Sequence, residues 1–397
     1  MMTRVAGVIW VWLRATLVLL VCIELIAYAY LDLRPKRPVL GECHLNDDTK
    51  SQAWGPILCH EESLVAGQPT YEPYALWRYP PYKGQTIDID EDGLRHTDYS
   101  RCDAGAYTIW MFGGSALWGS GSPDSGTIPS LLANAYASRG HPVCIRNFGM
   151  LGWVSNQELV ALVLMLKRSD IAPKLVIFYD GINDVLACWQ YRRPGLHLHV
   201  EVIRERLESI SAPPTAGSFF YLRNSNVARA VLPSPSLALS MSGMPAVPHP
   251  DYLAAAGPAQ KTTSGAANAL VSYYLRNLQV VAALAQQYGF RYAFFWQPAL
   301  WAEHKPLSDE EKAISRIQSN SVAGITSFFP AVYERMRSVR QPHLYYIGDA
   351  FNNVRTSLYL DYAHISPRGN AIVVQRMFTI LRADKRAFDK SMIPKRD

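Results

Sequence analysis

The chain has 397 residues, of which 49% are hydrophobic and 18% charged, and a net charge of +6. That composition excludes a disordered chain, and the length suggests two or three units or one large domain with insertions. The basic excess is mild and dispersed except at the C-terminus, which argues against a nucleic-acid partner, and six cysteines without a C-x-x-C pair argue against a disulfide scaffold or a zinc ribbon.

Residues 1–34 read as a membrane anchor. Ala15 to Leu31 is almost wholly apolar, with Arg4 and Arg14 before it and Arg34, Lys36 and Arg37 after it. Ala27-Tyr28-Ala29 has the small-x-small form of a signal cleavage site, but its bulky tyrosines favour an uncleaved anchor. Residues 35–100 read as an irregular extension with short strand-like runs such as Thr86 to Ile89. Tyr107 to Phe112 is an apolar, aromatic run stopped by Gly113-Gly114 and is expected to be a buried strand. Thr127 and Pro129 open a helix that Gly140 closes; Val143 to Arg146 is a second strand, Gln157 to Arg168 a helix, and Leu175 to Tyr179 a third strand. This alternation predicts a parallel sheet covered on both faces.

The rhythm then stops. Residues 190–265 are proline-rich, with one helical stretch at Val200 to Ile210, and read as an insertion or lid. It resumes with a helix over Ala266 to Tyr288, strands over Arg291 to Trp296 and His343 to Ile347, and a last helix opened by Ser366 and Pro367. Residues 383–397 form a basic tail.

Open α/β sheets place their sites at the carboxyl ends of the strands. The segments there are Gly113-Gly114-Ser115, Asn147 to Gly152, Asp180-Gly181-Ile182-Asn183-Asp184 and Asp361-Tyr362-Ala363-His364. Any one of them could be a turn or a cap; all four at strand ends, in this order, are hard to explain so. Ser115 is the candidate nucleophile, His364 its base, and Asp361 the group that orients the imidazole. The backbone N–H groups of Ser115 and Gly149 and the side-chain amide of Asn183 are candidate oxyanion donors, with Gly149 a glycine so that substrate can approach the backbone. Gln297, after the fourth strand, and Trp118 are candidate substrate contacts. Trp153, Trp189, Trp296 and Trp301 also lie near these loops, where aromatic faces could hold sugar rings or simply pack in the core. No G-x-S-x-G elbow or phosphate loop is present, the His197-x-His199 pair reads as surface, and no metal or cofactor is expected.

The ordered set resembles the blocks of the SGNH/GDSL hydrolase superfamily. Ser115 matches the block-one nucleophile, Gly149 the block-two glycine, Asn183 the block-three asparagine, and Asp361 with His364 the block-five pair. The match covers 101–189 and 266–382, and Gly114 replaces the aspartate that usually precedes the serine. The resemblance implies a flavodoxin-like, three-layer α/β/α domain. Asp92-Gly93-Leu94-Arg95 resembles a segment of membrane-anchored bacterial members that accompany exopolysaccharide or cell-envelope biosynthesis. By that likeness the expected activity is cleavage or transfer of an O-acyl group, acetyl above all, on an envelope glycan outside the cytoplasm. A lipid esterase or thioesterase and a non-catalytic glycan-binding protein are the alternatives. If the sheet follows the family topology, Cys102 and Cys144 lie on neighbouring segments and can pair. Cys43 and Cys59 form a second candidate pair, and buried thiols are the other reading for all four.

Overall fold

The computed structural model describes residues 2–33, 45–168, 172–211, 227, 254–255, 257–302, 304–321 and 324–384. The chain divides into two compact units, Met1–Pro38 with His199–Leu237, and Val39–Leu198 with Ala238–Asp397.

The first unit contains helix α1 (Met2–Leu33). Its Trp10–Tyr30 stretch of 21 residues is long and apolar enough to cross a bilayer, and its apolar side chains from Trp10 to Tyr30 are mostly exposed. Such a helix fits a single-pass membrane anchor.

The second unit begins with α2 (Asp47–Lys50) and α3 (Gly55–Ala66), followed by two antiparallel pairs. These are β1 (Thr70–Glu72) with β2 (Leu76–Arg78), and β3 (Tyr82–Lys83) with β4 (Asp88–Ile89). Residues 45–100 are therefore more regular than the sequence suggested. Strands of two or three residues are too short to show an alternation.

The main sheet has five parallel strands: β5 (Tyr107–Gly113), β6 (Val143–Gly149), β7 (Leu175–Asp180), β8 (Arg291–Trp296) and β9 (Leu344–Tyr346), in the spatial order β6-β5-β7-β8-β9. β7 is buried along its whole length, as a parallel strand covered on both faces must be. One aromatic residue from each of four neighbouring strands forms a ladder across the sheet. Phe148 lies 4.8 Å from Phe112, Phe112 5.5 Å from Phe178, and Phe178 4.3 Å from Phe294, all stacked.

The remaining helices are α4 (Ser115–Trp118), α5 (Ile128–Ala137), α6 (Ser155–Arg168), α7 (Ile182–Tyr191), α8 (Val200–Ser211, in the first unit), α9 (Pro258–Lys261), α10 (Thr263–Tyr288), α11 (Asp309–Ser321), α12 (Ile325–Ser338) and α13 (Pro367–Ala383). The side chains of Thr127 and Ser366 cap α5 and α13 as expected, and Thr262 caps α10, which begins at Thr263, three residues before its predicted boundary. β6 runs three residues beyond its predicted end, so Asn147, Phe148 and Gly149 belong to the strand. The order 2-1-3-4-5 puts the topological switch between β5 and β7, and that is where a doubly wound sheet opens its crevice.

Cys102 and Cys144 are disulfide-bonded across 42 residues. Cys59 is also disulfide-bonded, while Cys43, its expected partner, lies outside the described residues. Closing a loop of this length is worth roughly 2–4 kcal/mol. Cys102→Ser should therefore lower the urea midpoint of a reversibly unfolding catalytic unit, and an unchanged midpoint would mean the bond does not constrain the chain. The Pro-rich insertion at 190–265 and the tail at 383–397 fall largely outside the described residues.

Candidate active site

β5 ends at Gly113, and Gly114 turns the chain into the single-turn α4, whose first residue is Ser115. Ser115 Oγ lies 2.7 Å from His364 Nε2, and His364 Nδ1 lies 2.6 Å from Asp361 Oδ2. Asp361 Oδ1 accepts the backbone N–H of both Ala363 and His364 at 2.7 Å, so the loop is folded around its carboxylate. An ionised carboxylate only accepts. Nδ1 therefore carries the proton, and Nε2 is the acceptor for the serine hydroxyl. The three side chains have the arrangement of a serine hydrolase.

The loop that carries this pair is held from α11, a helix the sequence reading did not identify. Glu311 Oε1 accepts the N–H of Leu358 (2.9 Å) and Tyr359 (3.2 Å), and Gln318 Oε1 accepts that of Tyr362 (2.9 Å). Glu311 is itself buried against Lys305 Nζ at 2.5 Å. The legible signal was Ser308-x-x-Glu311. Its serine hydroxyl accepts from the Glu311 N–H and its own N–H donates to the Glu311 carboxylate, which is a capping box.

Burial opposes the charge of the His364 imidazole, but the carboxylates of Asp361 and, more weakly, Glu62 outweigh it and raise the pKa above the ordinary value of 6.5. Only the neutral ring can take a proton. Activity should therefore fall as pH drops through a midpoint above 6.5, and kcat/KM measured against pH checks the sign. A midpoint below 6.5 would contradict it.

The cavity beside Ser115 has a volume of about 10 Å³ and is lined by Gly114, Ala116, Trp153, Asp180 to Asn183, Gln297 and Ala363. Asn183 Nδ2 donates one hydrogen to the Trp153 carbonyl at 2.7 Å, which leaves the second for a ligand. Asn183 also explains the glycine before the nucleophile, because a Cβ on Gly114 would sit 2.5 Å from Asn183 Nδ2. Gln297 is buried on the cavity wall, in reach of a ligand there.

Two expected roles need correction. The Gly149 N–H already donates to Asn147 Oδ1 at 2.9 Å, and a Cβ there would collide with the backbone of Trp118. Its missing side chain makes room for α4, not for a substrate. The turn glycine next to the cavity-lining Trp153 is Gly152 (φ +75°), whose N–H has no partner among the described residues. Trp118 is fully buried with the Arg95 guanidinium 4.3 Å from its ring centroid, so it is a packing residue and not a substrate platform. Trp189 and Trp296 are buried too, and Trp301 stacks on Tyr362 at 4.9 Å.

A buried polar group behind the cavity was not anticipated. Asp184, next to Asn183, accepts from Ser155 Oγ (2.6 Å) and Ser155 N–H (3.0 Å), which docks the first turn of α7 onto α6. Burial pushes the Asp184 carboxyl up to about 6, against those hydrogen bonds. Asp180 accepts from the Tyr274 hydroxyl. Burial first, and the neighbouring carboxylates second, also raise Asp180 and Glu158. Glu158 sat inside an apolar helix stretch, where one acidic residue carries no signal of its own.

No protein-family model matches the chain, and no curated protein matches it in sequence. Solved structures that it is similar to include a lipolytic protein of the G-D-S-L family from Veillonella parvula, at 10% identity and TM-score 0.36, covering 69% of this chain and 98% of that one. A psychrotrophic esterase, EstA, from Pseudoalteromonas matches at 13% identity and TM-score 0.33, covering 70% and 97%. A further G-D-S-L family protein from Desulfitobacterium hafniense matches at 10% identity and TM-score 0.32, covering 69% and 99%.

Proposed function

We propose that the chain is a membrane-tethered esterase or O-acyltransferase that removes or moves an acetyl group on an envelope glycan through an acyl-Ser115 intermediate. The observation that carries the chemistry is the continuous chain of hydrogen bonds from Ser115 through His364 to Asp361. Ser115 Oγ attacks the ester carbonyl as His364 Nε2 takes its proton. The oxyanion meets the N–H of Ser115 and the free hydrogen of Asn183, with the Gly152 N–H in place of the expected Gly149 donor. Collapse expels the sugar oxygen, which His364 protonates, and leaves the acetyl group on Ser115. Water or a second sugar hydroxyl, deprotonated by His364, then takes it.

The narrow cavity beside Ser115, about 10 Å³, supports a short acyl group on the reacting carbon. The Cys102–Cys144 bond supports an oxidising compartment, hence a catalytic unit outside the cytoplasm. A panel of acetylated glycans, long-chain acyl esters and acyl thioesters tests the substrate class. Turnover confined to acetyl esters on sugars is expected, and a preference for long acyl chains or thioesters would overturn it. A C-terminal alkaline phosphatase fusion should be active and a green fluorescent protein fusion dark. The opposite pair would place the unit in the cytoplasm.

Asn183→Ala should fold and lose roughly 10²–10³-fold in kcat. If the side chain serves only to fix the turn to Trp153, the thermal midpoint will fall and turnover will stay.

A further inference from the structure

We infer that Arg95, which lies outside the segments that carry the triad, is a positioning residue for the Ser115–His364 pair. The inference rests on Ser115 being the nucleophile. The Arg95 side chain is completely buried. Its Nη1 donates to the carbonyls of Gly119 (2.9 Å) and Trp118 (3.3 Å), its Nη2 to those of Ser122 (2.6 Å) and Thr86 (3.5 Å), and its Nε to Asp124 Oδ1 (2.8 Å). Burying a guanidinium is unfavourable unless its donors are engaged, and here every nitrogen has an acceptor.

What those acceptors belong to gives the role. Trp118 ends the helix that Ser115 begins, and Gly119 and Ser122 lie in the turn that follows it. The Ser115 carbonyl accepts the N–H of Gly119 (2.9 Å) and of Ser120 (3.0 Å), so the path from guanidinium to nucleophile runs through Gly119. On the other side, Ser122 Oγ accepts from Asn370 Nδ2 (3.0 Å), which also donates to the Gly126 carbonyl (2.9 Å). Asn370 is in the first turn of α13, six residues after His364. One planar group thus ties the turn behind the nucleophile to the helix behind the base. A helix of one turn has too few internal bonds to hold Ser115 unaided. Lysine cannot replace the fork, because an ammonium is a single point and the acceptors are spread around a plane.

The test uses Arg95→Lys and Arg95→Ala in the full chain. It compares kcat and KM on an activated acetyl ester, the rate of fluorophosphonate labelling, and the thermal midpoint. The expected result is KM within ~3-fold of the parent while kcat and labelling fall ~10²-fold, since a small misplacement of reacting groups costs about that much. Methylguanidinium should restore labelling of Arg95→Ala at least ~10-fold, and methylammonium at equal ionic strength should not. Folded variants that label at the parent rate, or that lose only thermal stability, overturn the inference. If Arg95→Ala does not fold, Arg95→Lys decides by the same split; if neither folds, Arg95 serves folding alone and the inference fails. A parent chain that is not labelled on Ser115 overturns the nucleophile reading and this inference with it. A labelled parent with unaffected variants overturns this inference only.

Discussion

Ser115→Ala should leave a folded chain whose ester turnover has fallen on the order of 10⁶-fold, the loss expected when a triad serine is removed. The hydroxyl makes its hydrogen bond to His364 Nε2, and the helix and turn around it are held by backbone groups that alanine keeps. Alanine is also the residue best suited to a helix. Thermal stability should therefore stay close to that of the parent while activity disappears. A purified variant that retains more than a trace of turnover would mean another group attacks the ester.

Asp361→Asn should lose about 10⁴-fold in kcat with little change in KM. Asp361 uses one oxygen for the N–H groups of Ala363 and His364 and the other for His364 Nδ1. Asparagine can keep its carbonyl oxygen on the loop only by turning its NH₂ toward the imidazole. Nδ1 then becomes the acceptor and Nε2 carries the proton, so the ring can no longer accept from Ser115. Kinetics on a folded variant check this, and a loss below about 10-fold would show that Asp361 does not set the tautomer.

The parts of this site that were legible in the sequence share a physical reason. Tyr107 to Phe112, Leu175 to Tyr179 and Arg291 to Trp296 are runs so apolar that they had to be central strands, and their ends then locate Ser115, Asn183 and Gln297. Asp361 and His364 were legible because they sit before a helix with a clear Ser366-Pro367 start. What was not legible depends on distant packing. Gly149 looked like a loop glycine, but its strand continues past Arg146 because β5 offers it a full-length partner. Trp118 was a candidate substrate contact, but it is buried in the interior with the Arg95 guanidinium over its ring. Arg95 reaches the Trp118 carbonyl 23 residues on, Asp184 the Ser155 N–H 29 residues back and Glu311 the Tyr359 N–H 48 residues on, and a single sequence records no such pairing. The tie from Trp77 Nε1 to the Leu151 carbonyl, at 2.9 Å, and the return bond from Trp153 Nε1 to the Trp77 carbonyl, at 3.1 Å, belong to the same class. They tie the segment before β5 to the loop that carries the cavity-lining Trp153.

The most direct test of the catalytic claim is to trap the acyl-enzyme. The purified full-length protein would be mixed with p-nitrophenyl acetate, quenched in acid within the first turnover, digested, and the peptides weighed. One acetyl group is expected on the peptide that contains Ser115, absent from Ser115→Ala and lost from the parent when turnover is allowed to finish. Turnover that proceeds with no acetyl on Ser115, or with the acetyl on another residue, would contradict a serine nucleophile at the end of β5.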